Sequence, residues 1–526
     1  MPIDTLLTGG LIVDGSGNEP FIGSIGITND KISLIEKDIA KVNAKKKISV
    51  AGLVVSPGFI DIHSHSEIQP LVDQKSCSKL FDGVTTIVSG NCGFSVFPWS
   101  KDMPRDGFPL FRDLGVSFGW PSFSHWEKAI NERAPALNHA SFMGHGTLRV
   151  LVMGLDYKEP TSKEMSWMLT LLEENMAQGA LGLSTGLEYS PACCAQQAEL
   201  EKLAAIVVKH NGCHSSHLRD EGQNVVESVK EAIALCQKTG VRTQLSHLKA
   251  YGRDNWQRLG EVIDIVEKAR QDSLPVFADR YPYCATSTTL HAILPTWLLD
   301  GGIATMVNKL GQADVLAQLK EEMKGTRWDE VHLAYVNKEV NKKWQGKSIS
   351  HIAKSYQKEE LETFLHIIRD EAGAAMGVYH SLSEDNLRRL LKKTWLAIGS
   401  DGSARRTNGP LSRGVPHPRC YGTFARFLGK YVRQEGLVSL KEAVRKMTAL
   451  PAKQLALGDR GKLSVGLAAD ITVFDFEKII DRATYGKPHQ YSTGIVHLFV
   501  NGVPTLIDTE LTSSHGGRVI KRSTLL

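Results

Sequence analysis

Asp61-Ile62-His63-Ser64-His65 sets two imidazoles two residues apart, just after the apolar run Leu53-Val54-Val55 and the turn-prone Ser56-Pro57-Gly58. In a strand, side chains two apart share a face. His63 and His65 would therefore present paired nitrogen donors at a strand's end. Imidazole is the commonest side-chain metal ligand, and a catalytic metal needs protein ligands plus an open position. Other residues offer donors of matching type. Cys92 stands in Ser89-Gly90-Asn91-Cys92-Gly93 and Asp401 in Gly399-Ser400-Asp401-Gly402. His217 in Ser216-His217-Leu218-Arg219 and His247 in Ser246-His247-Leu248-Lys249 share a Ser-His-Leu-basic pattern. Thiolate, imidazole and carboxylate are the donors zinc takes. Singly, each has an ordinary alternative: Cys92 as a small buried hydrophobe, a strand-end histidine as a hydrogen-bonding loop residue, Asp401 as the first half of an Asp-Gly turn. His214, three residues before His217, should face away from it.

The elements around these residues give them a common place. From about residue 59 to 455 the chain alternates strand and helix signals. Strand-like runs lie at 83–89, 180–184, 213–217, 241–247, 276–279 and 395–401. Helical periodicity covers 165–178, with Thr161-Ser162 as a cap, then 199–209, 225–238 and 256–273. Repeated strand–helix units imply parallel strands with helices outside, and a (β/α)8 TIM-type barrel fits the length. The competing topology is a doubly wound sheet, whose usual GxGxxG after an early strand is missing. Each candidate donor falls at or just past a strand's C-terminal end. In a barrel those ends converge on one face. Residues 300–365 break the rhythm and read as an insertion. The two chain ends, 1–58 and 456–526, are both β-rich and are expected to combine into one small β domain, since neither buries enough surface alone.

The 526 residues carry a net charge of +5. Basic residues are scattered rather than gathered into the stripe a nucleic-acid binder shows. One local cluster, Arg405, Arg406, Arg413 and Arg419, is the exception. No apolar run reaches the ~18 residues of a membrane span, and the N-terminus lacks a secretory pattern. Eight cysteines without CxxC pairs suggest reduced thiols and a cytoplasmic setting. Cys193-Cys194 read as packing residues.

The chain resembles the amidohydrolase superfamily and, within it, the N-acyl-D-amino-acid deacylases (D-aminoacylases). The resemblance is carried by Pro57 to His65, Gly90-Asn91-Cys92-Gly93, Gly144 to Arg149, Ser184 to Tyr189, Ser216 to Arg219, Ser246 to Lys249, Tyr281-Pro282-Tyr283, Gly399 to Gly402, His417-Pro418-Arg419 and, in the β-rich end, Gly466 to Asp470. It implies zinc-dependent hydrolysis of the amide of a small N-acyl-D-amino acid. Cys92, His217 and His247 would hold a tight zinc. His63, His65 and Asp401 would form a weaker neighbouring position. Asp401 would act as general base and then acid. Lys249, Tyr283, Ser287 and Arg419 would hold the substrate's carboxylate. Neither nucleic acid nor membrane is an expected partner. The segment between Asp401 and Arg419 is longer than in the best-known members, and side-chain preference stays open. Two other readings remain: a cyclic-amide hydrolase or D-dipeptidase of the same superfamily, and a non-catalytic binding protein on the same barrel.

Overall fold

The computed structural model describes residues 3–37, 42–101, 103, 114–117 and 119–522. Parallel strands Phe59–Asp61, Val84–Ser89 and Asn138–Ser141 make a three-stranded sheet. Met143–Gly144, Gly182–Gly186, Cys213–His217, Arg242–Leu245, Val276–Arg280 and Leu396–Ile398 make a six-stranded one. Asn138–Ser141 and Met143–Gly144 are halves of one strand broken at Phe142. The Phe142 amide donates to Ser89 O at 3.0 Å, and the Leu181 amide to Ser141 O at 2.9 Å, so the sheets run into each other. At the opposite seam Ser64 and Gly402 form a parallel bridge, and the Asp401 amide donates to His63 O at 2.7 Å. The strands thus go round as an eight-stave barrel.

The local reasons are ordinary. Every residue of Val84–Ser89 and Cys213–His217 is buried, as strands covered on both faces require. Helix Ser162–Gln178 starts where Thr161 was expected to cap it. The Thr161 hydroxyl accepts from the Glu164 amide, and the Glu164 carboxylate accepts from the Thr161 amide. Helices Gln197–Lys209, Val225–Thr239 and Leu259–Gln271 alternate with the strands. Val229, Ile233, Val262 and Val266 pack with Leu245, Val276 and Ala278 in one core.

Two boundaries and one whole strand differ most from expectation. Residues 253–258 form a 3-10 turn, and the α-helix read from Trp256 begins at Leu259. The last barrel strand stops at Ile398, because Gly399 to Asp401 peel towards the first strand. The Asn138–Gly144 strand was not read at all, since Asn138, His139 and Ser141 are polar although buried.

A nine-stranded sheet draws on both chain ends. Val54–Pro57 pairs with Ile3–Ile12 on one side and antiparallel with Ile471–Phe474 on the other. Leu7, Ile25, Ile27, Val55, Ile471, Val473 and Phe499 form its core. The sheet is pinned to the barrel where the Gly58 amide donates to Asp470 O and Thr472 Oγ1 to Gly83 O. A Cβ on Gly58 would lie 2.1 Å from Thr85 Oγ1, so only glycine permits this approach.

Between barrel strands Val276–Arg280 and Leu396–Ile398 the chain builds a further unit. Thr286–Thr289, Met376–Tyr379 and Val331–Tyr335 form an antiparallel sheet. Leu298, Leu319, Leu333, Phe364 and Ile368 give it a core of its own. Residues 300–365 lie inside it. All eight cysteines are free thiols. Among the described residues no helix is long and apolar enough to cross a membrane.

Candidate metal centre and active site

All six donors singled out in the sequence meet at the C-terminal mouth of the barrel. His63 Nε2 lies 3.3 Å from Cys92 Sγ and 3.5 Å from Asp401 Oδ1. His65 Nε2 is 3.2 Å from the same Asp401 oxygen. Cys92 Sγ is 3.4 Å from His247 Nε2. Ligand atoms of His63, Cys92, His247 and Asp401 all fall within 4.8 Å of one another, as do those of His217, Glu221 and His247. His214 stays outside, its Nε2 3.0 Å from Thr185 Oγ1.

The backbone is bent to achieve this. Cys92, His247 and Asp401 have φ of 54°, 36° and 50°. Non-glycine residues held in the left-handed region cost about 1–3 kcal/mol each and gather at functional sites. A Cβ on Gly93 would come within 2.6 Å of the Gly186 amide nitrogen, so the Cys92 turn lies flat on the neighbouring strand. Asp401 is braced from behind. Lys79 Nζ donates to Asp61 Oδ2 (2.8 Å) and Ser400 Oγ (2.7 Å), and the Ser400 amide donates to Asp61 Oδ1 (2.8 Å), all buried.

Carboxylates that the sequence reading did not assign orient the imidazoles. His63 Nδ1 is 3.1 Å from Asp279 Oδ1, His217 Nε2 is 2.7 Å from Glu188 Oε2, and His247 Nδ1 is 3.0 Å from Glu221 Oε1. Burial alone would lower His63, but Asp279, Cys92 and Asp401 outweigh it and push it up to about 10. Burial would raise Cys92, yet His63 and His247 hold the thiol well below its usual range. Asp401 is likewise held well below the carboxylate range, burial being outweighed by Arg419, His247 and His63. An arrangement that keeps anions ionised and draws protons onto imidazoles is one that attracts a cation.

A soft thiolate with imidazoles and one carboxylate fits zinc. The fit has an independent sign. His217 Nδ1 is buried without a hydrogen-bond partner among the described residues, while its other nitrogen is held by Glu188. A carboxylate that fixes one ring nitrogen and leaves the other free is what a ligating histidine requires.

The donors open on a cavity of about 1000 Å³. Lys249, Ser287 and Arg419, expected to hold a carboxylate, are on its wall. Arg419 Nη1 lies 2.7 Å from Asp401 Oδ2, and Nη2 donates to Ser287 O at 3.0 Å. Lys249 Nζ lies 2.5 Å from Glu221 Oε2 and 2.9 Å from His247 Nδ1. Tyr283 is placed elsewhere: it is off the cavity wall, its hydroxyl 3.5 Å from Asp481 Oδ2 and its ring beneath Arg426. Tyr281, likewise off the cavity wall, packs against the cations of the site. Its ring lies 4.7 Å from the Arg419 guanidinium and 4.0 Å from that of Arg280. Its buried hydroxyl has no hydrogen-bond partner among the described residues. Burial would raise that phenol, but Arg280, Lys249 and Arg419 together hold it below its usual range. The strand ends at Arg280, so Tyr281-Pro282-Tyr283 lies in the segment that leaves it.

Residues 47–506 match the model of the Amidohydrolase family. The chain is 34% identical to a D-aminoacylase of Alcaligenes xylosoxydans xylosoxydans over 99% of its own length and 98% of that protein's. Its fold matches an N-acyl-D-glutamate deacylase from Bordetella bronchiseptica, solved with zinc and a phosphonate mimic of the tetrahedral intermediate, with a TM-score of 0.85 at 29% identity, covering 99% of this chain and 100% of that one. A D-aminoacylase structure concerned with the role of its binuclear metal centre matches with a TM-score of 0.85 at 32% identity, over 99% of this chain and all of the other. The chain belongs to the amidohydrolase family.

Proposed function

We propose that this protein hydrolyses the amide bond of N-acyl-D-amino acids with zinc as cofactor, releasing a carboxylate and the free D-amino acid. One observation carries the reading. The thiolate–imidazole–carboxylate cluster and a separate pair of cations suited to a carboxylate, Arg419 and Lys249, line one cavity, with the buried Tyr281 ring packed behind Arg419. The D configuration rests on the relatives.

Cys92, His217 and His247 hold the tight metal, and His63, His65 and Asp401 define a weaker neighbouring position. Zinc bound there supplies Lewis acidity, polarising a carbonyl and acidifying water. The chain's own residues do the rest. Arg419 grips the substrate's carboxylate through its planar guanidinium, with Lys249 and Ser287 around it and the Tyr281 ring packed behind. Asp401 enters as an anion, since the paired Arg419 keeps it ionised. It takes a proton from the water that adds to the amide carbon, then delivers it to the amine nitrogen as the C–N bond breaks. The nine-stranded sheet, built from 1–58 and 456–526, acts as a separate unit that braces the barrel's first strand.

The test is a panel of N-acetyl-D- and L-amino acids, hydantoins and D-dipeptides, with zinc quantified alongside. Turnover of the D-acyl series by zinc-loaded protein is expected. Ring opening alone, or turnover by protein free of metal, would overturn the reading.

A further inference from the structure

Glu221 was not singled out by the sequence, yet it touches both halves of the site. It is 7% exposed. Oε1 lies 3.0 Å from His247 Nδ1 and Oε2 2.5 Å from Lys249 Nζ. Its carboxylate also falls in the group that contains His217. The backbone around it is fixed: the Tyr251 amide donates to Glu221 O at 2.7 Å, and the Gly222 amide to Asp220 Oδ1 at 2.6 Å. The trio of Glu221, His247 and His217 is not an additional metal site. The Lys249 ammonium already stands there, 2.9 Å from His247 Nδ1.

That ammonium and the Glu221 carboxylate compete for one ring nitrogen. His247 turns Nε2 towards Cys92. An imidazole that gives Nε2 to a metal carries its proton on Nδ1, and Nδ1–H then needs an acceptor. Glu221 Oε1, buried 3.0 Å from Nδ1 and without a hydrogen-bond partner among the described residues, stands ready to be that acceptor. A protonated Nδ1 no longer accepts from Lys249. The lysine keeps its pair with Glu221 Oε2, and one of its N–H groups becomes available to the cavity. No charge is gained or lost; one hydrogen bond changes partner.

We propose that Glu221 is a positioning residue that couples the two functions: it fixes His247 for the metal and, in doing so, frees Lys249 for the substrate's carboxylate. The inference rests on the proposed deacylase reading for the carboxylate half only; the metal half stands apart from it. The metal alone and N-acetyl-D-leucine are the probes. Competition with a chelating indicator should show zinc held about 10–100-fold more weakly by Glu221→Gln, the usual cost of removing such a carboxylate. At saturating zinc the variant's KM should rise about tenfold, with kcat changed less than about threefold, because losing one charge-assisted hydrogen bond weakens binding by about that factor. Glu221→Asp, whose shorter side chain cannot span both partners, should fall between the two and covers the case in which the Gln variant does not fold. Zinc affinity within about threefold of the parent in a folded variant, or an unchanged KM at saturating zinc, overturns the proposal. If the parent fails to turn over N-acetyl-D-leucine, the deacylase reading is at fault, and the zinc titration still decides the role of Glu221.

Discussion

The floor of the cavity and its far wall are built on opposite principles. On the floor four of the six donor side chains have a second polar partner at close range: Asp279 for His63, Glu188 for His217, Glu221 for His247, Arg419 for Asp401. The far wall comes from the unit between the last two barrel strands. It presents Ile293, Leu294, Leu299, Ile303 and Tyr379 from short turns, a helix start and a strand end. Those residues are placed by apolar packing, in a core of their own. Hydrogen bonds and ion pairs fix position to fractions of an ångström, whereas apolar packing fixes mainly volume. The floor should therefore fail sharply when one atom changes, and the wall should adjust by degrees. Under the proposed deacylase function, chemistry would belong to the floor and substrate selection to the wall, a division by which one fold can serve many substrates.

The sharpest break is Asp401→Asn. It keeps size and burial but removes the proton acceptor, so kcat should fall by about 10²–10⁴-fold, the usual worth of a general base. Its zinc content should stay near the parent's, because Cys92, His217 and His247 are untouched. Cys92→Ala is the converse and should lose the metal first. Metal analysis beside steady-state kinetics checks both. If Asp401→Asn retains turnover, or Cys92→Ala retains zinc, the floor is not organised as described.

Much of the floor was legible because its donors are rare residue types at strand ends, where a barrel gathers distant positions. His63 and Asp401 are 338 residues apart in sequence by their numbers, yet their ligand atoms lie 3.5 Å apart. The supporting carboxylates were not legible. Asp279 follows Val276-Phe277-Ala278, and Glu221 follows Arg219-Asp220, and in sequence both look like acids at the edge of solvent. Their inward aim depends on the register of neighbouring strands. The strand through Asn138 and Ser141 was missed for a related reason: Asn138 Nδ2 is satisfied by Asp470 at 3.1 Å, a partner in the terminal sheet. The two β-rich ends could be expected to combine, but the pairing of Ser56 with Thr472 is a contact 416 residues apart that no local pattern encodes.

A gentler break separates the two tyrosines of Tyr281-Pro282-Tyr283. Tyr281→Phe removes a buried, unpartnered hydroxyl from a ring packed against Arg280 and Arg419. A hydrogen bond to a charged group is worth about 1.5–3 kcal/mol, so KM for an N-acetyl-D-amino acid should rise by about 10–100-fold while zinc content holds. Tyr283→Phe removes a hydroxyl directed at Asp481, away from the cavity, and should leave KM within about twofold. Equal effects from the two variants would erase the distinction drawn between them.

The smallest effect belongs to the far wall, and it is selective rather than general. Ile303 is partly buried against the core of its own unit and shows one side to the cavity. Ile303→Ala removes methyl groups from that side. One methylene more or less in an apolar pocket is worth about 1–3 kcal/mol between substrates, and a wall that can relax gives the lower end. The ratio of kcat/KM for N-acetyl-D-leucine to that for N-acetyl-D-alanine should therefore shift by about tenfold. The alanine substrate itself should be turned over nearly as well as before, because no ligand or carboxylate anchor has moved. A uniform fall for both substrates would mean that the wall positions the floor. The separation of chemistry from selection would then be false for this chain, and the apolar unit would have to be counted among the elements that hold Ser287 and, through it, Arg419 in place.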